Sequence, residues 1–156
     1  MNEIERMQKY LLLIRRTVGW SAEEFGERIG LTRQTINNIE SGRNKLTKTQ
    51  YIAMRSVLDA EITAYPDETE MLRLILDVFI DHPENYEEKE REKLLDQANM
   101  MTPSILAGAT SRKDVSKALI SSAASLGIAL SALAVPLAAA IGSSSWITKV
   151  ILERKK

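Results

Sequence analysis

Between positions 32 and 48 the chain gathers Thr32, Arg33, Gln34, Thr35, Asn37, Asn38, Arg43, Asn44, Lys45 and Lys48. None of these pairs a nucleophile with a base. They are forked hydrogen-bond donors, amides and cations, chemistry suited to recognition. An arginine can bond a guanine edge at two points, and glutamine or asparagine can do the same to adenine. Lysine and arginine pair with phosphates whatever the sequence. The chain has no cysteine and one histidine, His82. Thiol catalysis, disulfides and Cys-ligated zinc are excluded, and a multi-histidine metal site or a catalytic triad is improbable. No catalytic residue, metal or cofactor is expected, and the chain does not read as an enzyme.

The polar cluster needs elements to carry it. Ile4, Met7, Leu11, Ile14 and Val18 recur at helical spacing, which predicts an amphipathic helix over residues 4–17 with Arg6, Lys9, Arg15 and Arg16 on a basic outer side. Gly19 breaks it, and Trp20 packs before the next helix. Ser21-Ala22-Glu23-Glu24 is a capping box that opens a short helix with Phe25 and Ile29 inward. Gly30 ends that helix. Thr32 caps another that runs to Glu40, with Ile36 and Ile39 inward and Arg33, Gln34, Thr35, Asn37 and Asn38 outward. Ser41-Gly42 stops it, Arg43-Asn44-Lys45 makes a basic loop, and Thr47 opens a fourth helix with Ile52, Val57 and Leu58 inward. Two short helices joined by a glycine-led turn, the second rich in Arg, Gln and Asn, satisfy the demands of major-groove recognition.

The run from Ser21 to Gly42 closely resembles the helix-turn-helix of the phage repressor and Cro (XRE) family of bacterial and phage regulators, with the likeness extending over about residues 7–59. The resemblance implies a bundle of four or five helices in which residues 32–40 are the recognition helix. It implies that Arg33, Gln34 and Asn38 face bases, and that Thr32, Thr35, Asn37, Arg43 and Asn44 touch phosphate or support the reading side chains. Lys45 and Lys48 join the phosphate anchors through their charge and position. Two residues depart from the pattern. Ala22 stands where many relatives have a phosphate-touching glutamine, and Gly26 replaces a small alanine where the two helices cross, at a helix-propensity cost of about 1 kcal/mol.

The zero net charge of the 156 residues conceals three regions. Residues 1–58 hold 10 Lys/Arg against 6 Asp/Glu, residues 59–117 hold 7 against 14, and residues 118–156 hold 4 against 1. Abundant Ala, Leu, Ile and Ser with 5% aromatics predict an all-α fold. Three parts follow: a helix-turn-helix head at 1–60, an acidic helical connector or dimerisation region at 61–102, and a hydrophobic helical tail at 103–156. In the middle, Pro66-Asp67-Glu68-Thr69-Glu70 starts a helix whose Met71, Leu72, Ile75, Val78 and Phe79 are to be buried against the head or a second copy. Glu84 to Lys93 reads as a solvated charged helix, and His82 as a helix-end residue.

The tail has no charge from Ala118 to Thr148, and residues 118–141 are long enough to span a membrane as one helix. Trp146 near the far end would suit the membrane interface, and Pro136 would kink or divide the run. Three readings follow: a transmembrane tether, a self-associating hairpin broken near Pro136 or Gly142, or the central core helix of a compact protein. The function expected is a sequence-specific regulator of double-stranded DNA, a repressor acting as a homodimer or higher homo-oligomer in the cytoplasm at the nucleoid. The uncharged run is its candidate anchor to the cytoplasmic membrane, and the N-terminus has no signal-peptide pattern. The alternatives are a membrane-associated protein-interaction module and a DNA-binding antitoxin or phage-defence component.

Overall fold

The computed structural model describes residues 1–125 and 145–152, and these contain helices and turns with no strand. The first helix, α1 (Glu3–Lys9), is capped by the Asn2 side chain, which accepts the Glu5 amide at 2.8 Å. A second, α2 (Leu11–Val18), follows after a single non-helical residue, Tyr10. The uninterrupted helix expected over residues 4–17 is thus two. The apolar spacing carries across the break, so periodicity cannot reveal it, and the Tyr10 ring packs on Phe79 with centroids 4.8 Å apart. Arg15 also departs from expectation. It is buried rather than outward.

Helices α3 (Ala22–Ile29), α4 (Arg33–Glu40) and α5 (Lys48–Ala64) complete the head. The capping boxes at Ser21 and Thr47 are both formed, each side-chain oxygen accepting the third helical amide while Glu24 or Gln50 reaches back. Besides Leu58, α5 turns Tyr51, Met54, Arg55 and Ile62 into the core, whereas Ile52 and Val57 are only partly buried.

The acidic region does not stand apart from the head. A 3-10 turn at Pro66–Glu68 leads to α6 (Glu70–Ile75), which widens into a π-helical segment at Leu76–Asp81. From Met71 to Ile80 every residue except Arg73 and Asp77 is buried. A helix apolar all round must be enclosed, and here α1 and α2 of the same chain cover one side and α9 (Arg112–Ser125) another. Met7, Leu11, Ile14, Phe25, Ile36, Leu58, Leu72, Ile75, Phe79 and Leu119 belong to one hydrophobic cluster. Between the π segment and α9 lie a 3-10 turn at Pro83–Asn85, α7 (Glu88–Met101) and the short α8 (Pro103–Leu106). In α7 Glu88, Lys89, Glu92, Lys93 and Asp96 are exposed, Arg91 folds back onto the Pro83 and Tyr86 carbonyls, and Leu94 and Ala98 are buried. His82 caps the π segment, its amide on the Asp77 carbonyl.

The candidate membrane run meets this fold at both ends. Its first residues, 118–125, lie in α9, where Leu119 and Ala123 are buried and Ser116 Oγ accepts the Met71 amide at 2.9 Å. Residues 126–141, with Pro136, lie outside the described residues, as does the break at Gly142. Among the described residues no helix is long and apolar enough to cross a membrane. Trp146, expected at a membrane interface, is packed against the head. It belongs to α10 (Ser145–Leu152) and donates from Nε1 to Asp59 Oδ2 at 2.6 Å. Its ring stands edge-on to Tyr51 and under the Arg55 guanidinium, while Lys149 pairs with Glu3 at 2.8 Å.

Beneath α10 lies a charged network. Arg55 holds Asp81 through two bonds of 2.6 and 3.0 Å and donates to the Tyr51 hydroxyl, which donates in turn to Glu3. Burial pulls the Arg55 pKa down, but the paired Asp81 carboxylate, joined by Tyr51 and Asp59, outweighs it and holds the guanidinium above its ordinary value. Burial pushes the Asp59 carboxyl up, against the pull of Arg55 and the Trp146 N–H.

A residue at the centre of this packing tests the placement of α9. Leu119→Ala should cost about 2–5 kcal/mol, the range for truncating an enclosed leucine. Urea unfolding of the full chain in detergent-free buffer measures it. An unchanged midpoint would show that Leu119 is not core.

Candidate nucleic-acid interface

Helix α4 has eight residues, too few to persist alone in water. Its placement therefore depends on what it touches. Thr32 Oγ1 accepts the Thr35 amide at 3.1 Å and caps the helix, and the two threonine hydroxyls lie 2.9 Å apart. Ile36 and Ile39 are fully enclosed. Around them Thr32, Arg33 and Gln34 are exposed, and Thr35, Asn37 and Asn38 are half-buried. Arg43, Asn44, Lys45 and Lys48 are exposed on the following loop and at the start of α5. All ten polar residues singled out from the sequence thus lie at the cap of α4, on α4, on the loop after it or at the start of α5, none of them fully buried, with the leading end of α4 open to solvent.

Within that surface the amides are ordered. Gln34 Nε2 donates to Asn38 Oδ1 at 3.0 Å, one turn along. A carboxamide has two N–H donors, so Gln34 keeps one of them and its oxygen for another partner. Asn38 keeps its own NH2.

The turn between α3 and α4 is tight. Gly30 takes φ +75, a left-handed conformation that favours glycine. Gly26 is held more closely still. A Cβ at this position would stand 2.3 Å from the Leu31 carbonyl oxygen, and the Leu31 amide donates to the Gly26 carbonyl at 2.9 Å. The propensity argument treats Gly26 as a tolerated loss relative to alanine. The packing shows instead that this crossing has no room for a methyl group.

Two further clamps escaped the sequence reading. Arg15 of α2 grips Glu40 in the last turn of α4, Nε to Oε2 at 2.8 Å and Nη2 to Oε1 at 3.1 Å, and also donates to the Trp20 carbonyl. Both side chains are about nine-tenths buried. A carboxylate at a helix C-terminus is disfavoured by the dipole and would repel a polyanion, and Arg15 neutralises it. Gln8 of α1 donates to the Ile39 and Asn44 carbonyls at 3.0 and 2.8 Å and accepts the Leu46 amide at 3.0 Å. The sequence offers only Glu40, the one acid of α4, and the Arg15-Arg16 pair in the last turn of α2, and spacing within one helix does not join them.

A capped recognition helix, a glycine-led turn and a basic flank define a helix-turn-helix. Residues 11–64 match the family model described as helix-turn-helix, in agreement with the Cro and phage-repressor (XRE) type. The match takes in α2 to α5 and leaves out α1 and everything beyond α5. No curated protein and no solved structure matches the chain. The chain therefore carries a DNA-binding domain of an XRE-type regulator.

The crossing at residue 26 makes a direct test. Gly26→Ala should destabilise the protein by about 1–3 kcal/mol, the usual cost of overpacking, despite alanine's better helix propensity. A thermal melt decides the sign; a raised midpoint would mean that propensity governs this site.

Proposed function

We propose that the protein is a sequence-specific repressor that inserts α4 into the major groove. The observation that carries this reading is the division of α4: Ile36 and Ile39 are enclosed, while Thr32, Arg33 and Gln34 at its leading end are exposed. Arg33, Gln34 and Asn38 read base edges. The Gln34–Asn38 bond leaves Gln34 one N–H and one oxygen, the pair that adenine requires. Thr32, Thr35, Asn37, Arg43, Asn44, Lys45 and Lys48 touch the backbone or support the readers, which fixes register and supplies salt-dependent affinity.

One head covers a half-site, so the proposal includes a homodimer on a two-fold site. Residues 1–60 act as the reader. In residues 61–102 the apolar side of α6 is already enclosed by this chain, so a second copy must use other surfaces of the connector or tail. Met100 on α7 and Leu152 on α10 are exposed at 78% and 71%. Occupying a promoter in this way blocks access to it, the basis for reading a repressor. A reader of DNA works where DNA is, which places it in the cytoplasm.

Gln34→Ala should relax base preference by about 1–3 kcal/mol at one position, and more weakly at the position read by Asn38, whose partner it removes. Selection of sites from a random duplex library measures this, and an unchanged logo would reject the role. Arg43→Ala should weaken binding to all sequences alike and make the salt slope shallower by about 1. Fluorescence anisotropy across a salt series checks it; a loss confined to one sequence would contradict a phosphate contact.

A further inference from the structure

We infer that Gln8, on α1 and outside the segment that matches the helix-turn-helix family, is a positioning residue that sets the DNA-facing loop 41–46 against the end of α4. The inference rests on the repressor reading above and adds to it a determinant of backbone contact.

The geometry is specific. Two carbonyls, of Ile39 and Asn44, and one amide, of Leu46, surround the Gln8 side chain. Carbonyls can face only the NH2 and an amide only the oxygen, so the three neighbours determine the orientation. Both N–H donors are used. One of the carbonyls ends α4, where the last turn leaves acceptors without helical partners. The other two groups bracket Lys45.

The loop's other bonds all run back to α4: Ser41 donates its amide to Asn37 at 3.0 Å and its hydroxyl to Asn38 at 3.2 Å, and Gly42 and Asn44 donate to the carbonyls of Ile39 and Asn38 at 3.2 Å. Leu46 is its one buried side chain. Arg43, Asn44 and Lys45 are exposed. Gln8 therefore supplies three of the bonds that keep two cations at a set distance from the reading helix. Its own position is secured from another face of α1. On the same helix, Arg6 donates from Nε to the Ile80 carbonyl at 2.9 Å. Helix α1 thus acts as a strut between the π segment and the loop. Arg15 and Glu40 hold α4 independently, so loss of Gln8 should disturb the loop and leave base reading intact.

The test uses the full chain and two probes: a duplex selected by the wild-type protein from a random library, and an unrelated duplex. Gln8→Ala should bind both duplexes about tenfold more weakly. Its salt slope should be shallower by up to about 1.8, two phosphate contacts at about 0.9 each, with the selected sequence logo unchanged. In an Arg43→Ala/Lys45→Ala background, Gln8→Ala should cost less than twofold, which a general loss of structure would not reproduce. Hydrogen exchange adds a readout without DNA. The Leu46 amide should lose protection in Gln8→Ala and keep it in Gln8→Glu, which retains the acceptor but loses the two donors and should bind DNA as weakly as Gln8→Ala. Should Gln8→Ala not fold, Gln8→Glu carries the DNA comparisons. Wild-type affinity and slope in a Gln8 variant, alongside a loss in Arg43→Ala, overturn the inference and leave the repressor reading standing. A wild-type chain that binds neither duplex overturns both.

Discussion

The constraint that governs this molecule is the shortage of apolar surface on α4. A helix that faces DNA must keep most of its perimeter polar, and α4 commits only Ile36 and Ile39 to the core. Two side chains bury enough to attach eight residues, at about 1.5–3 kcal/mol each, but they leave rotation and tilt poorly determined. The remaining order comes from directional contacts at the ends: the Thr32 cap, the close crossing at Gly26, and the grip of Arg15 on Glu40. Each acts on a different degree of freedom. The cap sets where the helix starts, the crossing sets its distance from α3, and the ion pair sets how its last turn faces α2.

The same economy explains why the core of the head continues past residue 60. The five helices α1 to α5 alone enclose a small core, and small cores are marginal. The apolar helix at 70–80 extends that core across α1 and α2, and α9 closes it from the far side. The widened π turns at Leu76–Asp81 bring Asp81 to Arg55. Arg55 is a charge placed under apolar cover, which is tolerable only with good geometry and close partners. Asp81 and Tyr51 take its Nη atoms and the Trp146 ring covers its face, while its Nε is buried without a hydrogen-bond partner. One guanidinium thereby ties the head to the middle region and to α10. Arg112 makes a second such tie, bonding the Val18 carbonyl, Glu61 and Glu68.

Function and stability therefore draw on overlapping parts of one structure. The polar surface between residues 32 and 48, proposed above to face DNA, is locally ordered by caps and amide bonds, while its attachment also draws on Gln8 of α1 and Arg15 of α2, which bond to the loop and to the last turn of α4. Thr32 and the Gln34–Asn38 pair serve both ends at once, ordering α4 while keeping bonding capacity on its open side.

Much was legible in the residue order because local chemistry wrote it. The capping residues Ser21, Thr32 and Thr47, the stops at Gly30 and Gly42, and the inward pair Ile36 and Ile39 depend on neighbours within one helical turn. So do the outward polar positions of α4. Spacing could not reveal the break at Tyr10, the burial of Arg15, the reach of Gln8 or the docking of Trp146 on Asp59, because each depends on a partner 25 or more residues away, or on a change of helix direction that leaves the apolar rhythm intact. The run from Ala118 shows the limit most clearly. A stretch without charge is equally at home in lipid and in a protein interior, since both exclude water. For residues 118–125 it took the packing of Leu119 and Ala123 in the core to choose between them.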